Sequence, residues 1–161
     1  MPGVSPYERL QVEAVLLNDP RPPIEGGAGL FVTPAGGDGK VVFDLAVQPA
    51  MHKNELNRID VRVVFSDASP LSEVCRCVQV AELIVADVSN LNPSVLYVLG
   101  LCHGLGRCPI LLMRDLGELP FNLRAFRYLE YANTREGLME LRERLERVLR
   151  VFLLATRVAG G

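Results

Sequence analysis

From Gly29 onward the sequence alternates short, almost wholly apolar runs with longer segments of helical period, and this alternation limits the possible folds most sharply. Residues 30–33, 61–65, 83–86, 109–113 and 126–131 read as strands, because they are brief, apolar and bounded by glycine, proline or polar turns. Strands that stay apolar along their whole length are buried on both faces, which calls for a parallel sheet with helices on either side. The intervening segments supply those helices. One is expected over residues 41–55, interrupted or kinked at Pro49, and another runs from Ser69 and Pro70 to about Val80. A third spans 93–105, closed by Gly104 and Gly106, and the last is capped by Asn133 with Glu136 three residues on. Right-handed crossovers leave few topologies. The expected fold is α/β, a flavodoxin- or Rossmann-like parallel five-stranded sheet with helices on both faces.

The segment before the alternation differs in character. Residues 5–17 read as a short helix with Ser5 as cap, Pro6 in its first turn and Glu8 completing a capping box. Residues 18–29, rich in proline and glycine, read as a linker. The expected organisation is an arm and linker over 1–28, an α/β domain over 29–156, and a short tail over 157–161. The last helix carries an apolar stripe of Leu138, Leu141, Leu145, Val148, Leu149 and Phe152, with Glu140–Arg144, Glu143–Arg147 and Glu146–Arg150 as i,i+4 pairs on the wet face. The run Val151 to Leu154 is apolar on more than one face, so burial between subunits is expected, in a homodimer or higher homo-oligomer, with a different partner protein as the alternative.

Composition excludes some function classes. A formal charge of −2 over 161 residues gives no electrostatic reason to expect nucleic acid or an anionic membrane as partner. No apolar run reaches the roughly 18 residues of a membrane span. The N-terminus lacks the basic start and apolar core of a signal peptide, so a cytoplasmic location is expected. Cys75, Cys77, Cys102 and Cys108 form no C-x-x-C pair, and His52 and His103 are the only imidazoles. Reduced thiols are therefore expected, with no metal and no cofactor.

In a parallel α/β sheet ligands bind beyond the carboxyl ends of the strands, where the strand order reverses. The loops at that edge are 34–39, 66–69, 87–93 and 114–121. The first, PAGGDG followed by Lys40, fits neither the phosphate-binding P-loop, since Val41 follows the lysine, nor the dinucleotide G-x-G-x-x-G pattern. Two readings stand for it: a plain glycine-rich turn, or a loop that contacts a ligand through backbone amides. Thr33, Gly36, Gly37 and Asp67 are candidate ligand contacts on these loops.

The stretch from Ala81 to Met113, AELIVADVSNLNPSVLYVLGLCHGLGRCPILLM, is more specific. Ala86, Asp87, Ser89, Asn92, Pro93, Val95, Tyr97, Leu99, Gly100, His103, Leu105 and Gly106 resemble the central motif of a bacterial branch of the nucleoside 2-deoxyribosyltransferase-like superfamily. ELPFNLRAFRYLEY is similar to that branch's later loop and final strand, with Asn122 where aspartate is usual. The resemblance covers residues 29 to about 153. It implies a pocket for a nucleoside or nucleotide, with Asp87 orienting sugar and base and Ser89, Asn92 and Tyr97 beside it. It also implies a glutamate on the following helix that attacks C1′ and forms a glycosyl-enzyme, the chemistry of a retaining glycosidase.

Val98 stands at that glutamate's position. Valine can neither attack nor carry a proton, so the expected function is a nucleoside- or nucleotide-binding domain impaired in catalysis. Two alternatives stand. One is an active N-glycoside hydrolase or transferase using a relocated carboxylate, Asp67 or Glu73. The other is a structural, self-associating protein. Asp87 can also be read as a helix cap or loop hydrogen-bonding group, Tyr97 as core, and His103 as a partly buried helix-end residue.

Overall fold

A computed structural model of the chain describes residues 25–34, 37–56, 58–63, 71–114, 123, 126 and 128–159. The expected arm helix at 5–17, the tail's last residues, Gly36 and Asp67 lie outside them. In chain order the elements are β1 (Glu25–Val32), α1 (Gly39–Val42), a π-helical turn (Phe43–Val47), α2 (Gln48–Lys53), β2 (Arg58–Val63), α3 (Leu71–Val80), β3 (Ala81–Asp87), α4 (Pro93–Gly104), β4 (Ile110–Arg114), β5 (Tyr128–Tyr131) and α5 (Arg135–Ala159). The strands lie side by side in the order β2-β1-β3-β4-β5, and every neighbouring pair is parallel. The domain is an α/β, Rossmann-like parallel sheet with helices. No helix among the described residues is long and apolar enough to cross a membrane.

The apolar strands bury both faces by simple alternation. Leu30, Val32, Ile84, Ala86, Leu111 and Met113 point to one side, where Val74, Cys77 and Val78 of α3 and Val95, Val98, Leu99 and Cys102 of α4 cover them. Phe31, Leu83, Val85 and Leu112 point to the other, against Ala46 and Val47 of the π turn, Ala50 and Met51 of α2, and Leu138, Leu141, Leu145, Leu149 and Leu153 of α5. Successive side chains of a strand face opposite ways, so one continuous apolar run serves two cores. Burial holds the Cys102 thiol unionised and raises its pKa to about 11.

Several boundaries differ from the sequence reading. β1 begins at Glu25, inside the stretch expected to be linker. Its register against β3 shifts between Glu25 and Gly29, Gly27 takes a positive φ of 81°, and the Gly27 N–H donates to Glu82 Oε2. A glycine-dependent irregularity of this kind has no apolar signature. The second strand is Arg58–Val63, starting earlier than expected. The helix expected to kink at Pro49 changes instead at the π turn just before it, and Pro49 sits in the first turn of α2, where its missing N–H is tolerated.

The ends of α4 and α5 show how caps are decided. At the end of α4, Gly106 has φ 69°, its N–H donates to the His103 carbonyl, and the Arg107 N–H donates to the Cys102 carbonyl at 2.8 Å. This is the Schellman arrangement that the glycines anticipate. At the start of α5, Thr134 Oγ1 accepts from the Gly137 N–H at 3.0 Å, and Asn133 is not the cap. Asn133 turns its amide to Asp38 Oδ2 instead, at 2.9 Å.

Glu146 is buried, not on the wet face as its spacing suggested. Its carboxylate accepts from Lys53 Nζ at 2.7 Å and Arg142 Nε at 3.0 Å, and Asn54 Nδ2 donates to its carbonyl. This cluster ties α2 to α5, and the Lys53 hydrogen bond holds the Glu146 pKa below the ordinary value.

Leu145→Ala should lower unfolding free energy by about 2–5 kcal/mol with little change in m-value, whereas exposed Met139→Ala should stay within about 0.5 kcal/mol; urea titration measures both. Because Glu146 titrates lower when folded than unfolded, its contribution is complete above about pH 4.3 and fades as pH falls below that. Glu146→Gln should therefore flatten the acid limb of a stability-versus-pH curve; an unaltered limb would remove the cluster from acid stability.

Candidate functional site

The strand order reverses between β1 and β3, so the carboxyl ends of these strands open the crevice in which ligands of parallel α/β sheets sit. Thr33 and the loop at Gly37–Gly39 follow β1. Asp87, Ser89, Asn90 and Asn92 follow β3, Arg114 ends β4, and Tyr131 ends β5.

Asp87 is 6% exposed and occupies the centre of this edge. Its Oδ1 accepts from the Ser89 N–H at 3.0 Å and from the Ser89 hydroxyl, and its Oδ2 accepts from the Tyr131 hydroxyl at 2.8 Å. Ser89 Oγ in turn accepts from the Arg114 N–H at 2.8 Å. The carboxylate thus links the ends of β3, β4 and β5. Burial, and then the neighbouring Asp87 charge, push the Tyr131 phenol well above the ordinary tyrosine range, so Tyr131 remains a neutral donor.

The remaining candidates divide. Asn92 is the N-cap of α4, accepting from the Ser94 N–H at 2.9 Å and the Val95 N–H at 3.3 Å, which satisfies two of the helix's open amides. Leu91, just before it, holds a positive φ of 46° while its side chain packs on the core below α4. Thr33 is 7% exposed and its hydroxyl has no hydrogen-bond partner among the described residues. A side chain at Gly39 would collide with that hydroxyl, so glycine there is a packing requirement. Gly37 has φ 70° with open space around it. Tyr97 is exposed on α4 and is not core.

Val98, where the resemblance implies a nucleophile, is fully buried in the apolar layer between α4 and the sheet. A carboxylate there would face that layer. Glu73 lies exposed in the first turn of α3. His103 stacks on Phe126 with ring centroids 4.4 Å apart, and its Nε2 is buried without a hydrogen-bond partner among the described residues, so it packs as a helix-end residue. Among the described residues no group of three or more His, Cys, Asp or Glu is placed to hold a metal ion.

Sequence reasoning missed a second layer of this edge. Arg114 Nη1 donates to Asp38 Oδ2 at 2.6 Å and its Nη2 to Asn90 Oδ1 at 3.3 Å, with the Asn133 amide on the same Asp38 oxygen. Asp38 and Arg114 are 76 positions apart, and each reads as an ordinary loop charge. The one available signal was that both fall on loops at the carboxyl edge.

A separate cavity of about 860 Å³ lies at the opposite, amino edge. Pro109, Ile110, Leu129, Val148, Val151 and Phe152 are among its walls, together with Phe126, the ring on which His103 stacks, and none of Thr33, Asp87, Ser89, Asn92, Arg114 or Tyr131 lines it.

Tyr131→Phe removes one donor from a buried carboxylate and should destabilise the fold by about 1.5–3 kcal/mol. A raised phenol pKa gives stability that is complete below about pH 10 and is lost as pH rises further. Alkaline unfolding followed by tyrosinate absorbance should show one phenol that ionises only on unfolding, and this phase should vanish in Tyr131→Phe. A phenol titrating freely near pH 10 in the folded protein would contradict the network.

No protein-family model matches this chain, and a search of curated proteins finds no match either.

Proposed function

We propose that this domain, five-stranded in the flavodoxin-like order, binds a nucleoside or nucleotide at the carboxyl edge of its sheet and does not cleave it. The observation that carries the reading is the convergence of polar side chains over the β1/β3 switch point: an unpartnered Thr33 hydroxyl on one side, and Asp87, Ser89 and Asn90 on the other. The resemblance of the stretch from Ala81 to Met113 to nucleoside 2-deoxyribosyltransferase-like proteins supports the choice of ligand. Asp87 acts here mainly by positioning. With its oxygens already accepting three hydrogen bonds, it holds the loop to Asn92 in place and presents Asn90 at the mouth. Loss of catalysis follows from Val98, which supplies no nucleophile and sits in the apolar layer.

The test is a thermal-shift screen of the purified chain against nucleosides, mono- to triphosphates, cyclic nucleotides and NAD, with base release followed by chromatography. A native-state ligand should raise the midpoint with concentration, by about 2.7 kcal/mol of stability at 100 times Kd. Release of base at an enzymatic rate would replace the binding reading with an N-glycoside hydrolase using another carboxylate. A flat screen would overturn ligand binding.

One observation favours a second reading, self-association. Val148, Val151, Phe152 and Ala155 form an apolar stripe beside the buried one on α5, with Val151 68% exposed. A second copy of the chain covering this stripe is the occupant proposed, and Val151→Glu should then shift the sedimentation velocity from oligomer to monomer.

A further inference from the structure

We infer that Arg114 is the receptor for an anionic group of the ligand, and that Asp38 occupies it as an internal competitor until the ligand arrives. The inference rests on the proposed binding site and narrows its ligand class to phosphorylated nucleosides.

The guanidinium starts at the end of β4 and reaches past the end of β3 to the loop after β1. It therefore lies across the switch-point crevice, with Asp38 on one arm and Asn90 on the other. Its root is rigid, because the Arg114 N–H is bonded to Ser89 Oγ, which is bonded to Asp87. A planar fork on a fixed stem is the geometry that recognises a carboxylate or phosphate bidentately.

Asp38 has the position of an N-cap but not the role. It precedes α1 with helical backbone angles (φ −75°, ψ −7°), and its side chain makes no capping hydrogen bond. The carboxylate is turned instead to Arg114 and Asn133. Asp38 is 53% exposed and Arg114 27%. An ion pair this open is weakly held and screened by salt. A phosphate carries more charge than a carboxylate and offers three acceptor oxygens, so it displaces Asp38 and takes over Arg114 and the amides of Asn90 and Asn133. A neutral nucleoside has nothing to offer in exchange and leaves the pair closed.

The experiment compares nucleosides with their 5′-monophosphates by calorimetry, with inorganic pyrophosphate as a base-free probe. The readout is the ratio of nucleotide to nucleoside affinity. Wild type should favour the monophosphate by about tenfold or more at low salt, and the preference should shrink as salt rises. Asp38→Asn removes the competing charge and should raise the ratio about fivefold, while Arg114→Gln should bring it close to one. The ligand-free melting midpoint of each variant reports whether it is folded, and Asp38→Asn, altered at an exposed position, keeps the test open if Arg114→Gln is not. A nucleoside that binds with no preference for its monophosphate, or a ratio that neither variant moves, overturns the inference and leaves the binding site standing. If no nucleoside, nucleotide or pyrophosphate binds, the binding site itself fails and the inference with it.

Discussion

The carboxyl edge of this domain depends on a buried carboxylate. Asp87 ends β3 with hardly any exposure to water, so each of its oxygens must find donors within the protein. The Ser89 N–H and hydroxyl fold the following loop back on the strand, and the Tyr131 hydroxyl brings in the end of β5. Ser89 then accepts from the Arg114 N–H and sets the end of β4. Three parallel strands, whose ends would otherwise be joined only by their ladders, are locked at one level. The loops that carry Asn90 and Asn92 are held as a consequence.

Polar groups at this edge form two layers with different work. The inner layer is hydrogen-bonded within itself: Asp87 and Tyr131, both buried, and half-buried Ser89. The outer layer is open to water: Asp38, Arg114, Asn90 and Asn133. Buried charge-assisted bonds resist exchange because breaking one strands a charge, whereas exposed pairs exchange readily. The inner layer holds strand ends together, and the outer one stays open to exchange. Asp87 belongs to the inner layer and Arg114, proposed above to meet an anion, reaches into the outer one.

Hydrophobic periodicity made much of the fold legible. The stretches around Leu83 to Ala86 and Pro109 to Met113 could only be strands buried on both sides, and their alternation with helical segments pointed to a parallel α/β sheet. The Gly104/Gly106 pair announced the end of α4 and its start was read near Pro93, but the cap there is Asn92, which the sequence offered as a ligand contact, with Asp87 as the possible cap. What local pattern could not convey was pairing across distance. Glu146 looked like one more charge on a wet helix face, yet it is buried because Lys53 and Arg142 meet it there. Asn133 looked like a cap, but Thr134 does the capping and Asn133 belongs to the Asp38 cluster.

By itself the sequence determined the class of fold, the loops at the carboxyl edge of the sheet and the absence of a carboxylate at position 98, since each follows from residue type and from contacts within a few positions. Tertiary structure alone decided which polar groups became buried supports and which stayed near the surface. Tyr131 and Asp87 are 44 residues apart, and Arg114 and Asp38 are 76 apart. Whether such pairs meet depends on strand order and register, and whether they exchange depends on burial. Both are properties of the assembled sheet, and no short stretch of sequence encodes them.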